Sequence, residues 1–175
     1  MSLTWLDNRI RRICRKTCGP KGVKLENRVI ILPDSKELVV PFPNEPLWHT
    51  GGYISPGQPT RVTIPAGFEG RYHVLAAVEW ALRTDTPFTI PIRDGSSFVS
   101  QIIVNGDAAN SPSDPRTVDA PVATGHSTTQ TIVWETKLTA DDFLELHVAW
   151  HDSEMPYDMP ANQLKIEAWL TVRKL

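Results

Sequence analysis

The sequence predicts an all-β protein, an antiparallel sandwich of either jelly-roll or immunoglobulin-like type. Eight to ten short segments alternate apolar with polar residues, turn residues separate them, and no convincing helical pattern follows residue 28. The body contains no cysteine, so it lacks the antibody-type disulfide. With 175 residues, of which 41% are hydrophobic and 22% charged, the chain has enough apolar surface for one core. This composition excludes a disordered tail protein.

The alternation in the first half of the chain predicts strands over 29–32, 37–42, 60–64 and 71–82. The longest, 71–82, places one set of residues on its first face: Tyr72, Val74, Ala76, Val78, Trp80 and Leu82. Its second face carries His73, Leu75, Ala77, Glu79 and Ala81. Both faces are largely apolar or small, so we expect neither to be wholly exposed to water.

In the second half, the pattern predicts strands over 98–104, 131–138, 143–151 and 164–175. Asn105-Gly106 is a strong turn pair after the first of these strands. Residues 107–127 are predicted to form a long surface loop with at most a short strand, and 153–162 a second loop. Trp80, Trp134 and Trp150 fall on the core-facing positions.

Residues 1–18 are predicted to form a short amphipathic helix that Gly19-Pro20 ends. Residues 1–28 carry eight Lys and Arg against two acidic residues, a net charge of +6, which leaves −8 on the rest of the chain. A basic arm on an acidic body predicts an acidic partner, which could be nucleic acid, a lipid surface or a protein. Apolar residues at helical spacing favour docking on protein over binding of DNA. The predicted docking residues are Trp5, Leu6, Arg9, Ile10, Arg12, Ile13, Arg15 and Lys16.

The sequence shows no apolar stretch long enough to span a membrane and no signal peptide, so we expect no membrane insertion. The two cysteines, Cys14 and Cys18, both lie in the arm. Their four-residue spacing leaves three alternatives: free thiols, a disulfide, or half of a metal site. No nearby His completes a metal site.

Four pieces of the sequence, in order, resemble a known family. They are the entry stretch 48–65 with Thr63-Ile64-Pro65 and Gly67, the Ile102–Gly106 hairpin of the form I-x-V-N-G, the 138–146 turn and strand, and the closing strand 164–175. Together they are similar to tumour-necrosis-factor-like jelly rolls, which include complement-type globular heads and many bacteriophage virion domains. The resemblance covers residues from about 38 to 175. It divides the chain into an anchoring arm (1–37) and a jelly-roll domain (38–175).

The resemblance implies a homotrimer in which the second face of the inner-sheet strands packs around a threefold axis. It also implies that the closing strand passes through the centre of the inner sheet. On this basis Leu75, Ala77, Trp48 and Trp169 are the expected trimer contacts. The chain departs from the family pattern at Asp141, where the family usually has Gly, and residues 83–97 look like an insertion.

No nucleophile elbow, phosphate-binding loop or zinc-protease motif is present. His147 and His151 lie roughly 13 Å apart on an extended strand, too far to share one zinc ion, whereas Glu145 and His147 are about 7 Å apart. The carboxylates of Asp107, Asp114 and Asp119 lack the spacing of a calcium loop. Adjacent carboxylates at Asp141 and Asp142 point apart, unlike a glycosidase pair. The sequence therefore predicts no catalytic residue, metal or cofactor.

These observations favour a non-enzymatic structural protein of a tailed-bacteriophage particle, either a trimeric capsid decoration protein or a head fibre. It would be made in the host cytoplasm and dock through its arm on the major capsid or another virion protein at the particle surface. The alternative is a receptor-binding module that recognises a host-surface saccharide or protein through its loops. A metal enzyme of the cupin type is disfavoured, since no His-x-His pair is present.

Overall fold

The computed structural model describes residues 21–31, 37–42, 46–55, 57–82, 96–108, 116–119, 127–152 and 164–175. Over these ranges the chain forms two antiparallel β-sheets and contains no helix, as the alternation predicts. The strands are β1 (Gly22–Ile31), β2 (Glu37–Val39), β3 (Trp48–His49), β4 (Val62–Thr63), β5 (Gly70–Leu82), β6 (Ser96–Val104), β7 (Arg116–Asp119), β8 (Ser127–Leu138), β9 (Phe143–Asp152) and β10 (Leu164–Lys174). The predicted arm helix lies outside the described residues.

The order of the strands in the two sheets is that of a jelly-roll sandwich. Sheet A has the order β3-β1-β10-β5-β8, and sheet B has the order β2-β9-β6-β7, with β4 also paired to β9. The closing strand β10 lies between β1 and β5, at the centre of sheet A, as the resemblance implies. Because β5 pairs with β10 and β8, and β6 with β9, the chain crosses repeatedly between the sheets.

The first strand corrects the expected boundary between arm and body. β1 begins at Gly22 and pairs with β10 from Gly22↔Arg173 to Ile31↔Lys165, so it belongs to the sandwich and not to an arm of residues 1–37. Val23 and Leu25 are buried in the core, whereas Lys24 and Glu26 lie on the outer side. The expected boundary was wrong because the two-residue alternation of β1, although visible in the sequence, lies within the basic segment. Residues 22–31 are therefore part of the sandwich.

The core lies between the sheets and is formed by the inward residues of every long strand. On β5 the inward residues Tyr72, Val74, Ala76, Val78 and Trp80 are at most 1% exposed. The alternation of apolar residues in the last two strands also predicts their inward faces, and these residues are buried: Leu144, Leu146, Val148 and Trp150 on β9, and Leu164, Ile166, Ala168, Leu170 and Val172 on β10. Trp134 is half-buried and packs against this core.

Two buried polar networks pin opposite ends of the core. At one end the hydroxyls of Tyr53 and Tyr72 are 3.0 Å apart, and the Tyr72 hydroxyl donates to the Phe68 carbonyl. Burial raises the pKa of both phenols, and for Tyr72 the bond to Tyr53 adds to the effect. At the other end Trp80 Nε1 donates to Gln130 Oε1 (2.8 Å), and Gln130 Nε2 donates to the Phe98 carbonyl (2.8 Å). Each buried polar group in these networks has a partner, which avoids the cost of an unpaired group.

The sandwich has two ends, which we name by the strand ends that lie there. The end that we call the arm end contains Gly22, Gly70, Leu138 and Lys174, which lie together through the pairs Gly22↔Arg173, Gly70↔Leu138 and Lys174↔Tyr72. The opposite end, the far end, contains the strand ends that border the connections 32–36, 83–95, 120–126 and 153–163. The connections that border the far end span 5 to 13 residues, whereas at the arm end 139–142 is a short turn and 105–115 is a longer connection.

Two tight turns at the arm end interlock. Asn105 (φ 55°) and Gly106 (φ 73°) adopt the left-handed conformation that the predicted turn requires, and so does Asp141 (φ 66°). Asp141 thus takes up the backbone conformation that a Gly would supply in the resembled family. Asn105 Nδ2 donates to Asp142 Oδ1 (2.8 Å), and its Oδ1 accepts from the Phe143 amide (2.9 Å).

We expect the Asp142 carboxylate to stabilise the fold only above acidic pH. Partial burial opposes ionisation, but hydrogen bonds from Asn105 and Thr139 outweigh it and hold the pKa of Asp142 below its usual range. A depressed folded-state pKa stabilises the protein above the unfolded pKa and loses that effect as pH falls through the folded pKa. Asp142→Asn should therefore lower the free energy of unfolding by about 1 kcal/mol at neutral pH, and the difference should vanish near pH 2. Urea titrations at both pH values test this, and Asp141→Asn is the control.

Candidate functional site: the outer face of sheet A

The centre of the outer face of sheet A is apolar and incompletely covered. Outward residues of β10, β5 and β8 form two adjacent cross-strand rows, Trp169↔Ala77↔Thr131 and Thr171↔Leu75↔Val133. We call the four apolar members, Trp169, Ala77, Leu75 and Val133, the apolar strip. The strip results from two-sided apolar alternation on strands whose inner faces already fill the core.

The four residues of the apolar strip differ in how far they are exposed. Val133 is 56% exposed, and Leu75, Ala77 and Trp169 are each intermediate between buried and exposed. Contiguous exposed apolar residues that are rimmed by polar ones are typical of association surfaces. Leu75, Ala77 and Trp169 were expected at an interface from the sequence, and the fold brings all three together. Val133 was not predicted as an interface residue, although its two-residue spacing from Thr131 and Glu135 places all three on the same side of the strand.

Charged residues border the strip on both sides. Toward the arm end, Arg71 Nη2 lies 3.1 Å from Glu135 Oε2, and His73 lies directly opposite Glu135. Toward the far end, Glu167 of β10 pairs directly with Glu79 of β5. Like charges at directly opposed positions are destabilising in a sheet. The apolar strip is thus confined to the middle of the strands.

Two other predicted sets of contacts lie wholly or partly outside the described residues. The backbone of Trp48 pairs with Lys24 at the edge of sheet A, but its side chain lies outside the described part of the chain. The whole set of predicted docking residues, from Trp5 to Lys16, also lies outside it. Their roles stay predictions.

Sheet B carries a partly buried charged cluster on its outer face, which the sequence did not predict. Glu145 lies on the outward side of β9, yet it is only 6% exposed. Arg61 Nε donates to its Oε1 (2.7 Å), and His147 Nε2 lies 3.3 Å from its Oε2. The Arg61 guanidinium also lies 4.2 Å from the centre of the Phe143 ring. Arg61 is 84 residues away in sequence from Glu145, so only the fold brings this pair together.

The candidate metal ligands do not form a metal site among the described residues. Glu145 and His147 are neighbours, as their spacing indicated, but Arg61 supplies the third group instead of a further ligand. No group of three or more His, Cys, Asp or Glu that could hold a metal ion occurs in the described ranges. The side chains of His151, Asp114 and Asp119 lie outside them. Within the same ranges, no helix is long and apolar enough to cross a membrane.

No protein-family model matches the sequence, and no curated protein matches it. Among solved structures, the chain is similar to the globular domain of zebrafish complement 1qA protein (11% identity, TM-score 0.49, 89% of this chain and 97% of that chain). It is also similar to murine APRIL (14%, 0.48, 89% and 100%) and to pika GITRL (15%, 0.42, 89% and 95%). At these values the fold is assigned from the strand order and register described above.

Proposed function

We propose that this chain is a non-enzymatic structural protein that self-associates as a homotrimer and attaches to a larger particle through its basic arm. The apolar strip is the observation that carries this proposal. When a second copy covers the apolar strip, the assembly is stabilised by about 25 cal/mol per Å² of apolar area removed from water. The resemblance noted in the sequence supports a threefold arrangement. Light scattering on the purified protein tests the trimer, and a monomer mass at high concentration would contradict it.

The charge distribution supports the docking role of the arm. Residues 1–20 carry five Lys and Arg against one Asp, a net charge of +4, and leave −6 on the rest of the chain. Because the chain enters the sandwich at Gly22, every copy in a trimer would present its arm at the arm end. Three arms on one assembly bind with greater avidity than one arm does. We propose that the particle is a tailed-bacteriophage virion and that the arm binds a capsid or other virion protein.

We expect deletion of residues 1–20 to abolish docking without changing the number of chains in the assembly. The test is co-sedimentation of the purified protein with particles that were produced without it. Binding of the intact protein should weaken between about 0.1 M and about 1 M salt, because the Debye length falls from about 10 Å to about 3 Å. Equal co-sedimentation of the truncated and intact proteins would contradict the assignment. In the matched control each of the five arm cations is exchanged, Arg for Lys and Lys for Arg, so that the charge of the arm is preserved.

A second candidate function, recognition of a receptor, is favoured by one specific observation. The strand ends that border the connections 83–95 and 153–163 lie at the far end, opposite the point where the arm would join the body. A docked assembly would therefore direct these two connections away from the particle, and binding residues are commonly found on such connections. Binding of the purified protein to host cells in the absence of particles would favour this second function.

A further inference from the structure

The outer face of sheet A carries a cluster of cations at the arm end, next to the apolar strip. We call these residues, Lys24, Arg71, Lys137 and Arg173, the basic patch. Arg71 of β5 pairs directly with Lys137 of β8, and Arg173 of β10 pairs directly with His73 of β5. Arg71, Lys137 and Arg173 are exposed, and Lys24 is half-buried on the outer side of β1. The proposed function assigns no role to this patch.

The positive charges of the basic patch are poorly compensated within the chain. Glu135 lies in the same rows, and its Oε2 is 3.1 Å from Arg71 Nη2. Within the described part of the chain, the side chains of Lys24, Lys137 and Arg173 have no ion-pair partner. Like charges at directly opposed positions are destabilising in a sheet, so the Arg71↔Lys137 pair costs stability in the isolated chain. An anionic partner would remove that repulsion.

The basic patch lies beside the point where the chain enters the sandwich. The Lys174 amide donates to the Lys21 carbonyl (2.7 Å), so the chain reaches the body next to Arg173. Residues 1–20 carry a net charge of +4 and the rest of the chain carries −6. The patch therefore has the sign of the arm and the opposite sign to the body as a whole. Charge of one sign that is concentrated on one part of a surface attracts an oppositely charged partner and orients it.

The extent of the basic patch favours a compact acidic partner over a long polyanion. The patch reaches across four neighbouring strands, β1, β10, β5 and β8, a width of roughly 14 Å at about 4.8 Å between strands. Beyond it, the exposed carboxylates of Glu69, just before β5, and Asp141, just after β8, border the arm end. Duplex DNA carries one charge per about 1.7 Å along its whole length, so it would extend past the patch and meet these carboxylates.

We propose that the basic patch binds an acidic segment of a partner protein. The carboxylates of Asp and Glu accept paired hydrogen bonds from an Arg guanidinium and single ones from a Lys ammonium. Such a segment would compensate Lys137 and Arg173 and remove the repulsion between Arg71 and Lys137. The partner is the protein to which the arm docks, because the arm and the patch lie side by side, and to that extent the assignment rests on the proposed function.

The test is fluorescence anisotropy with the full-length protein and a labelled oligoglutamate peptide at about 0.1 M salt. Lys137→Gln combined with Arg173→Gln should raise the Kd for the peptide about fivefold. The matched control combines Arg28→Gln with Lys165→Gln, which removes the same charge from β1 and β10 nearer the far end, and it should leave the Kd unchanged. The arm is intact in every protein, so the difference reports the patch. A short DNA duplex is titrated in parallel and should lose less affinity than the peptide does.

Three results would overturn the proposal: no binding of the peptide to the intact protein, equal Kd values for the patch variant and its control, or a larger loss of affinity for the duplex than for the peptide. The last result would make the partner a nucleic acid. Light scattering on the same samples separates this inference from the proposed function, because it reports self-association. A trimer whose peptide binding does not depend on the patch would refute only the patch assignment. A monomer that binds the peptide through the patch would refute only the trimer.

Discussion

Trp169→Asp is expected to convert the assembly into folded monomers. Each copy would lose at most about 2 kcal/mol of apolar burial at the partly exposed indole, and a carboxylate would have to be desolvated at the same position. Inside the monomer Trp169 lies on the outer side of β10, between the inward residues Ala168 and Leu170, so the core remains intact. Light scattering should therefore give a mass of 19.6 kDa, and thermal unfolding should remain cooperative.

The matched control is Val99→Asp, which introduces the same charge at a half-buried position on the outer face of sheet B. It should leave the mass of the assembly unchanged. A full-sized assembly formed by Trp169→Asp would remove the apolar strip from the interface. Dissociation by Val99→Asp as well would show that the effect is a general consequence of destabilising the fold.

Removal of residues 1–31 is expected to prevent folding, whereas removal of residues 1–20 should not. The longer truncation deletes β1 and with it Val23, Leu25 and Ile30 from the core. It also leaves one edge of the central strand β10 without its partner. Burial of each aliphatic side chain contributes about 1.5–3 kcal/mol, so the loss approaches the whole stability of a typical domain, about 5–15 kcal/mol.

Circular dichroism and urea titration of the two truncated proteins test this expectation. The shorter truncation ends before Gly22 and keeps every paired residue of β1. A cooperative unfolding transition in the protein that lacks residues 1–31 would show that β1 is dispensable, and would return the boundary of the body to about residue 38. Loss of the transition in the shorter truncation would show that the arm is part of the fold.

Much of the fold is predictable from the sequence because the side-chain alternation of a strand is local. The strands 71–82, 143–151 and 164–175 alternate over many residues, and their observed inward faces agree with the prediction. The Asn105-Gly106 turn is equally local, because its backbone conformation depends on those two residue types. The predicted start of the eighth strand at residue 131 is four residues late, because the segment from Ser127 is polar and short of apolar markers.

The features that the sequence did not predict depend on contacts between distant residues or on competing signals. The alternation of Val23 and Leu25 is clear, but the basic charge around it indicated an arm. The buried state of Glu145 requires Arg61, which comes from another strand region and has no sequence pattern that links the two. The basic patch likewise combines residues of β1, β5, β8 and β10, so no single segment reveals it. The apolar strip was partly predictable, because three of its residues lie on strands with clear two-sided alternation.

The position of β1 also determines how the body would respond to mechanical load. Its first residue pairs at the arm end and its last at the far end, antiparallel to β10 along its length. Tension between an anchored N-terminus and a target held at the far end would pull β1 along its own axis. The hydrogen bonds between β1 and β10 would then bear the load together in shear instead of breaking one after another. The sandwich would therefore resist unfolding best when it is pulled along the line that joins the arm end and the far end.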